Sequence, residues 1–242
     1  MRTLTVPARF CGPPASGNGG WTAGALAALL PGTGPVTVSL RHPPPLDVPM
    51  EVRRDGGADG GPVSLHHGEA LVATATPDPG AVLGPVPPVG PEEARAAAAS
   101  YAGLAHHPFG SCYSCGTARE PGDGLRIFPG PAGPGLTAAP WTPRDDADAG
   151  TTWAAIDCAG AWAADVDERA IVLGRMTAHV LAAPEPGVEH VVVGQVRGED
   201  GRKVRTAASL YDAAGGLVAT AEHLWITVDA AAFAAGPATD PR

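Results

Sequence analysis

One aspartate, Asp157, stands inside the apolar run Thr152-Trp153-Ala154-Ala155-Ile156-Asp157-Cys158-Ala159-Gly160-Ala161-Trp162-Ala163, with no basic residue within a helical turn on either side. If that run is a buried helix, ionising the carboxylate costs solvation and its pKa rises, the condition of a general base or nucleophile facing a cleft. The alternative is a carboxylate at a solvent gap, or one capping backbone N–H groups of a neighbouring loop. A second group with chemical potential is Asn18-Gly19-Gly20, which opens another apolar run, Gly19 to Leu30. Glycines at the start of a helix let unpaired N–H groups approach a ligand, so the backbone of Gly19 and Gly20, with Asn18 orienting, can hold a developing oxyanion; it can equally be a tight turn into a helix.

Two further clusters are candidates. Cys112 and Cys115 form a C-x-x-C with His106 and His107 just before it, and three readings stay open: reduced loop thiols, a zinc site or a redox pair. No second C-x-x-C or H-x-x-x-H completes a zinc set, and the run after Cys115 is rich in Gly and Pro rather than helical, so the expectation is no metal. Arg197, Arg202, Lys203 and Arg205 surround a turn between two strands. They either keep that turn solvated or offer Arg202, Lys203 and Arg205 to the phosphates of a substrate arm.

The elements that must position these groups are written twice. Leu71-Val72-Ala73-Thr74-Ala75 returns as Leu217-Val218-Ala219-Thr220-Ala221. Each copy closes a series of one apolar helix followed by four strands, so the chain reads as a duplicated unit. In the first unit the helix is followed by strands over Val36 to Leu40, Val48 to Arg53, Val63 to His67 and the repeat; a strand over Thr3 to Phe10 precedes it. In the second, Thr152 to Ala163 is followed by Ile171 to Leu181, Val188 to Arg197, Lys203 to Tyr211 and the repeat. The boundaries expected are an N-terminal unit over 1–80, a linker over 81–123, a C-terminal unit over 124–230 and a tail over 231–242. The linker is proline-rich from Pro77 to Pro91, then helical over Glu92 to Leu104. Both main helices lack a polar face, so each must be enclosed, and a curved antiparallel sheet wrapped around it supplies that enclosure.

Composition sets limits. The 242 residues suffice for two domains of about 100 residues. A net charge of −9, with Lys203 the sole lysine, argues against nucleic acid. No apolar stretch is long enough to span a membrane, and the N-terminal residues do not read as a signal sequence, so a cytoplasmic protein is expected.

The duplicated plan, the loop Gly17-Asn18-Gly19-Gly20-Trp21, the Ala155-Ile156-Asp157 of the second helix and the closing Gly216 to Ala221 together resemble the hotdog-fold superfamily, specifically double-hotdog acyl-CoA thioesterases. The resemblance covers residues 3 to 76 and 124 to 228. It implies an α+β tandem hotdog, two antiparallel sheets each wrapped around a central helix. It implies hydrolysis of an acyl thioester, on coenzyme A or an acyl carrier protein, at one composite site between the halves. The oxyanion role would fall to the backbone at Gly19 and Gly20 and the acid role to Asp157. A polar residue after the repeat on the last strand would be Glu222, where glutamine is the more usual residue of the family. No cofactor is implied beyond coenzyme A as part of the substrate, and a homodimer or higher homo-oligomer fits the family. The D-x-N-P-x-H pattern of the hydratase branch is absent. A non-catalytic acyl-thioester binding protein, or a cyclase or dehydratase acting on a carrier-bound intermediate, would use the same residues. The mirror-related site should be inactive, because Ala25 to Ala27 offer no carboxylate and Asp148-Ala149-Gly150 replaces the glycine pair.

Overall fold

The computed structural model describes residues 2–54, 61–166 and 169–229. The first half contains β1 (Arg2–Leu4), α1 (Gly19–Ala27), β2 (Val36–Leu40), β3 (Met50–Arg54), β4 (Val63–His67) and β5 (Ala70–Pro77). After a proline-rich stretch come α2 (Pro91–Ala99), β6 (Gly130–Gly133) and β7 (Leu136–Trp141). The second half continues with α3 (Ala149–Ala155), α4 (Cys158–Trp162), β8 (Ile171–Val180), β9 (His190–Asp200), β10 (Lys203–Tyr211) and β11 (Leu217–Thr227). The anticipated tail and most of the Asp55 to Gly61 turn lie outside the described residues.

All eleven strands form one sheet, in the order β1-β3-β4-β5-β2-β8-β11-β10-β9-β7-β6. This corrects the expectation of two sheets. β2 and β8 would otherwise each present a row of unpaired backbone groups at an edge. They pair antiparallel instead, from Val36 opposite Ala178 to Ser39 opposite Arg175, with the Thr37 and Thr177 hydroxyls 2.7 Å apart. Outward from that junction the two halves read alike: β2, β5, β4, β3, β1 on one side and β8, β11, β10, β9, β7 on the other. The repeated pentapeptides therefore occupy equivalent strands, β5 and β11. Val72, Ala73 and Ala75 are buried in one and Val218, Ala219 and Ala221 in the other.

The inner face of the sheet carries the helices. Every α1 residue except Gly19 and Ala25 is buried, and α1 packs on β2, β5, β8 and α3. The two helices cross at glycine: a Cβ added at Gly24 would lie 2.6 Å from the Ala149 carbonyl oxygen and 2.7 Å from Trp153 Cβ. Side-by-side helices, one from each half, are thus a consequence of a side chain that is not there.

Two boundaries differ from expectation. Thr3 to Phe10 is not one strand: after β1, Val6 makes an isolated bridge to Leu46, and Ala8–Phe10 is a single 3-10 turn following Pro7, which has no N–H to continue a ladder. At the start of the second unit, the Leu125 and Ile127 N–H groups donate to the carbonyls of Tyr113 and Ser114, so this stretch lies against the Cys112 to Cys115 loop. The second helix is two helices. α3 ends at Ile156, the Asp157 N–H bonds to the Ala154 carbonyl over a tightened turn, and α4 starts at Cys158. Asp157 sits at the joint.

Outside the sheet, Val86, Val89, Ala94 and Ala97 pack on Ala138, Val191, Val193, Ala207 and Tyr211. The linker and α2 thus cover the outer face of the second half.

Candidate active site

Asn18 caps α1. Its side-chain oxygen accepts from the Trp21 N–H at 2.8 Å, while its amide nitrogen donates to Ser114 Oγ at 3.2 Å and approaches Cys112 Sγ at 3.6 Å. The cap therefore fixes the start of α1 and ties it to the linker loop at once. Gly19 is the first residue of the helix, and its N–H has no partner within the helix.

The carboxylate of Asp157, 2 % exposed, comes from the α3–α4 joint to the same place. Its Oδ2 accepts from the Gly20 N–H at 3.0 Å. Contact this close requires glycine, since a Cβ at position 20 would lie 2.6 Å from Asp157 Cβ and 2.9 Å from its Cγ. Oδ1 is buried and without a hydrogen-bond partner. Buried carboxylate oxygens are rarely left unpaired, so this one marks a place where a further group belongs. Burial pushes the Asp157 carboxyl up to about 7, negative charge at Cys112 adds to the rise, and the Gly20 N–H and the Asn18 side chain oppose it.

Both groups line a cavity of about 280 Å³. Its apolar wall includes Leu40, Phe109, Trp162, Ile171, Leu173 and Trp225, and Arg41 is on the lining as a cation. That volume lies just under the roughly 300 Å³ at which small-molecule sites begin. At the equivalent end of α3, Asp148 caps the helix by accepting from Thr151 N–H and Oγ1, both at 2.8 Å. The hollow lined by Thr151, Tyr113 and Arg9 measures only about 40 Å³. The two halves are alike in fold and unlike in cavity.

Three expected roles change with the coordinates. The Gly20 N–H is engaged by Asp157, so of the two glycines Gly19 is the one with an amide hydrogen to offer. Glu222 is exposed on β11, opposite Thr177 and Ala207, and does not line the cavity. Alternation along the strand sends Ala221, His223 and Trp225 inward and Glu222 outward, and Trp225 and Ile226 are the residues of β11 on the cavity lining. Arg202, Lys203 and Arg205 are exposed at the β9–β10 hairpin and do not line the cavity; Arg202 donates to the Thr227 carbonyl. Lys203 stands opposite Ile226, which does line it.

The linker loop supplies what spacing did not reveal. Tyr101 packs edge-on against Trp162 at 4.4 Å between ring centroids and stacks with Phe128 at 5.2 Å, and its hydroxyl donates to the Cys115 carbonyl. This anchor brings Cys112, Ser114 and Cys115 to the start of α1 and the start of α4. His107 is part of the same wall, 5.0 Å from the Trp162 ring.

No family model matches the sequence, and no curated protein matches it. Solved structures do. A protein from Thermobifida fusca proposed as a thioesterase II is 16% identical, with 94% of this chain and 96% of that chain covered and a TM-score of 0.62. A conserved protein of unknown function with hot dog fold from Alicyclobacillus acidocaldarius is 16% identical over 94% and 92%, TM-score 0.60. The tesB protein of Mycobacterium avium subs paratuberculosis is 14% identical over 93% and 91%, TM-score 0.56. With more than nine-tenths of the chain aligned to each of these, the protein has the hotdog fold along nearly its whole length.

Proposed function

We propose that the protein is a double hotdog that hydrolyses an acyl thioester at the single composite site between its halves. The observation that carries this reading is the split role of Asp157, a residue on the cavity lining: one oxygen is held by the facing helix's Gly20 N–H and the other is buried and unpaired. The thioester carbonyl oxygen lies toward the Gly19 N–H and the positive end of α1, which stabilise the negative charge that grows on it. Asp157 Oδ1 accepts a proton from water as the water oxygen bonds to the carbonyl carbon. The tetrahedral intermediate collapses with cleavage of the carbon–sulfur bond, releasing the free acid and a thiol, the proton passing from Asp157 to the departing sulfur. Fold likeness to a protein proposed as a thioesterase II agrees with this chemistry at family level.

Arg41, on the cavity lining, is the group suited to an anionic carrier arm. A panel of acyl-CoA thioesters of increasing chain length, followed by thiol release, tests the proposal. Turnover is expected for short acyl groups. Saturable binding without thiol release would favour the non-catalytic binding protein, and conversion of the acyl group with no free acid product would favour a cyclase or dehydratase.

A further inference from the structure

Cys112 and Cys115 come from the linker loop, and a third thiol, Cys158, comes from the first turn of α4, 46 residues from Cys112. The three sulfur atoms all lie within 4.8 Å of one another. Cys112 Sγ and Cys158 Sγ are 3.8 Å apart, which is too long for a disulfide and matches the edge of about 3.8 Å that tetrahedral zinc with zinc–sulfur bonds of about 2.3 Å imposes.

We infer that Cys112, Cys115 and Cys158 bind one thiophilic divalent metal ion, zinc in the cell, at the wall of the cavity. The surroundings are those of a thiolate set. The Asn18 amide reaches Cys112 Sγ at 3.6 Å. His107 Nδ1 accepts from the Phe109 N–H at 3.0 Å, so in the neutral ring the proton sits on Nε2, which faces Cys115 Sγ at 3.4 Å. His107 is thereby an N–H donor to a ligand sulfur, an outer support rather than a ligand, as metal-bound thiolates commonly have. All three cysteines line the cavity, so the fourth coordination position falls to a water on that side. Loading the ion releases the thiol protons to solvent and involves no change of oxidation state.

The ion would join the linker to α4 one residue from Asp157. All three thiols are free of disulfides, Cys112 and Cys115 buried and Cys158 half-buried. The inference is independent of the hydrolytic proposal, since it concerns metal content and not turnover.

The experiment is metal analysis of the full chain purified without chelators from zinc-supplemented cells, followed by exchange of the metal for cobalt(II). About one zinc per chain is expected, and the cobalt form should give an intense thiolate-to-cobalt charge-transfer band in the near ultraviolet with d–d bands of tetrahedral strength. Cys158→Ser should weaken that band and lower metal retention during dialysis, while Cys11→Ser, whose sulfur contacts Ser111 and Arg119 instead, should retain both. Wild-type protein with less than about a tenth of an equivalent of metal and with all its thiols reacting freely would overturn the inference, as would cobalt bound without a charge-transfer band or metal retained equally by Cys158→Ser.

Discussion

Asp157 and Asn18 divide the work of building one site from two halves. Asn18 spends its oxygen on the helix start and its amide on the linker loop, so its loss should be felt in stability before chemistry. Asn18→Ala is expected to lower unfolding free energy by about 1 kcal/mol in urea titrations, the ordinary worth of an N-cap. His223 gives the pH dependence. It lies buried on β11 with Nδ1 3.2 Å from Thr206 Oγ1, and burial holds its imidazole down to about 4 from an ordinary value of 6.5, with backbone contacts to Ile156 and Thr206 opposing. The unfolded chain therefore binds a proton between those values that the folded chain refuses. Stability from this residue is complete above pH 6.5 and is lost as pH falls toward 4, by about 3 kcal/mol at most. The urea midpoint should fall across that window in the wild type, and that part of the fall should disappear in His223→Gln; an identical decline in the variant would assign it to other groups. Asp157 was legible in the sequence because a lone charge in an apolar run is conspicuous. Glu222 was misplaced because a sequence does not declare which parity of a strand faces inward until the sheet closes.

The helices explain why glycine, not only the apolar pattern, matters at the level of elements. α1 and α3 meet where Gly24 lies under Ala149 and Trp153, and a methyl group there has no space. Gly24→Ala is expected to cost about 1–3 kcal/mol from overpacking, although the same change in an exposed helix gains about 1 kcal/mol. Thermal or urea unfolding measures it, and a stabilised variant would contradict the close crossing. The strands Val36–Leu40, Val63–His67 and Lys203–Tyr211 could be read to the residue, whereas β9 begins and ends two or three residues later than its apolar run, β11 continues past the repeat to Thr227, and the glycine- and proline-rich β6 carries no strand pattern. The second helix could not. Its composition is continuous through Ile156 to Cys158, and the joint arises from tertiary contact, with the carboxylate drawn onto the Gly20 N–H. Nor could spacing join Cys158 to Cys112 and Cys115, because a long stretch of chain containing β6, β7 and α3 separates them.

The described residues of both halves share one sheet, and the cavity at Asp157 has no equal at the matching position of the other half. Pairing of β2 with β8 and the crossing of α1 with α3 make each half depend on the other. Urea unfolding followed by tryptophan fluorescence and by far-ultraviolet circular dichroism should therefore give one coincident transition; two separated transitions would mean the halves stand alone. The duplication was visible from the pentapeptide, whereas the continuity of the sheet was not, since edge pairing between repeats leaves no mark on either repeat. Among the described residues no helix is long and apolar enough to cross a membrane. The asymmetry between a cavity of about 280 Å³ at Asp157 and one of about 40 Å³ at Thr151 predicts one acyl ligand per chain. The most direct measurement is single-turnover hydrolysis of a short acyl-CoA by wild type and Asp157→Asn, with binding followed in parallel. Hydrolysis slower by about 10²-fold or more, with the ligand still bound at one site per chain, is the predicted result. An unchanged rate in the variant would contradict the account at its centre.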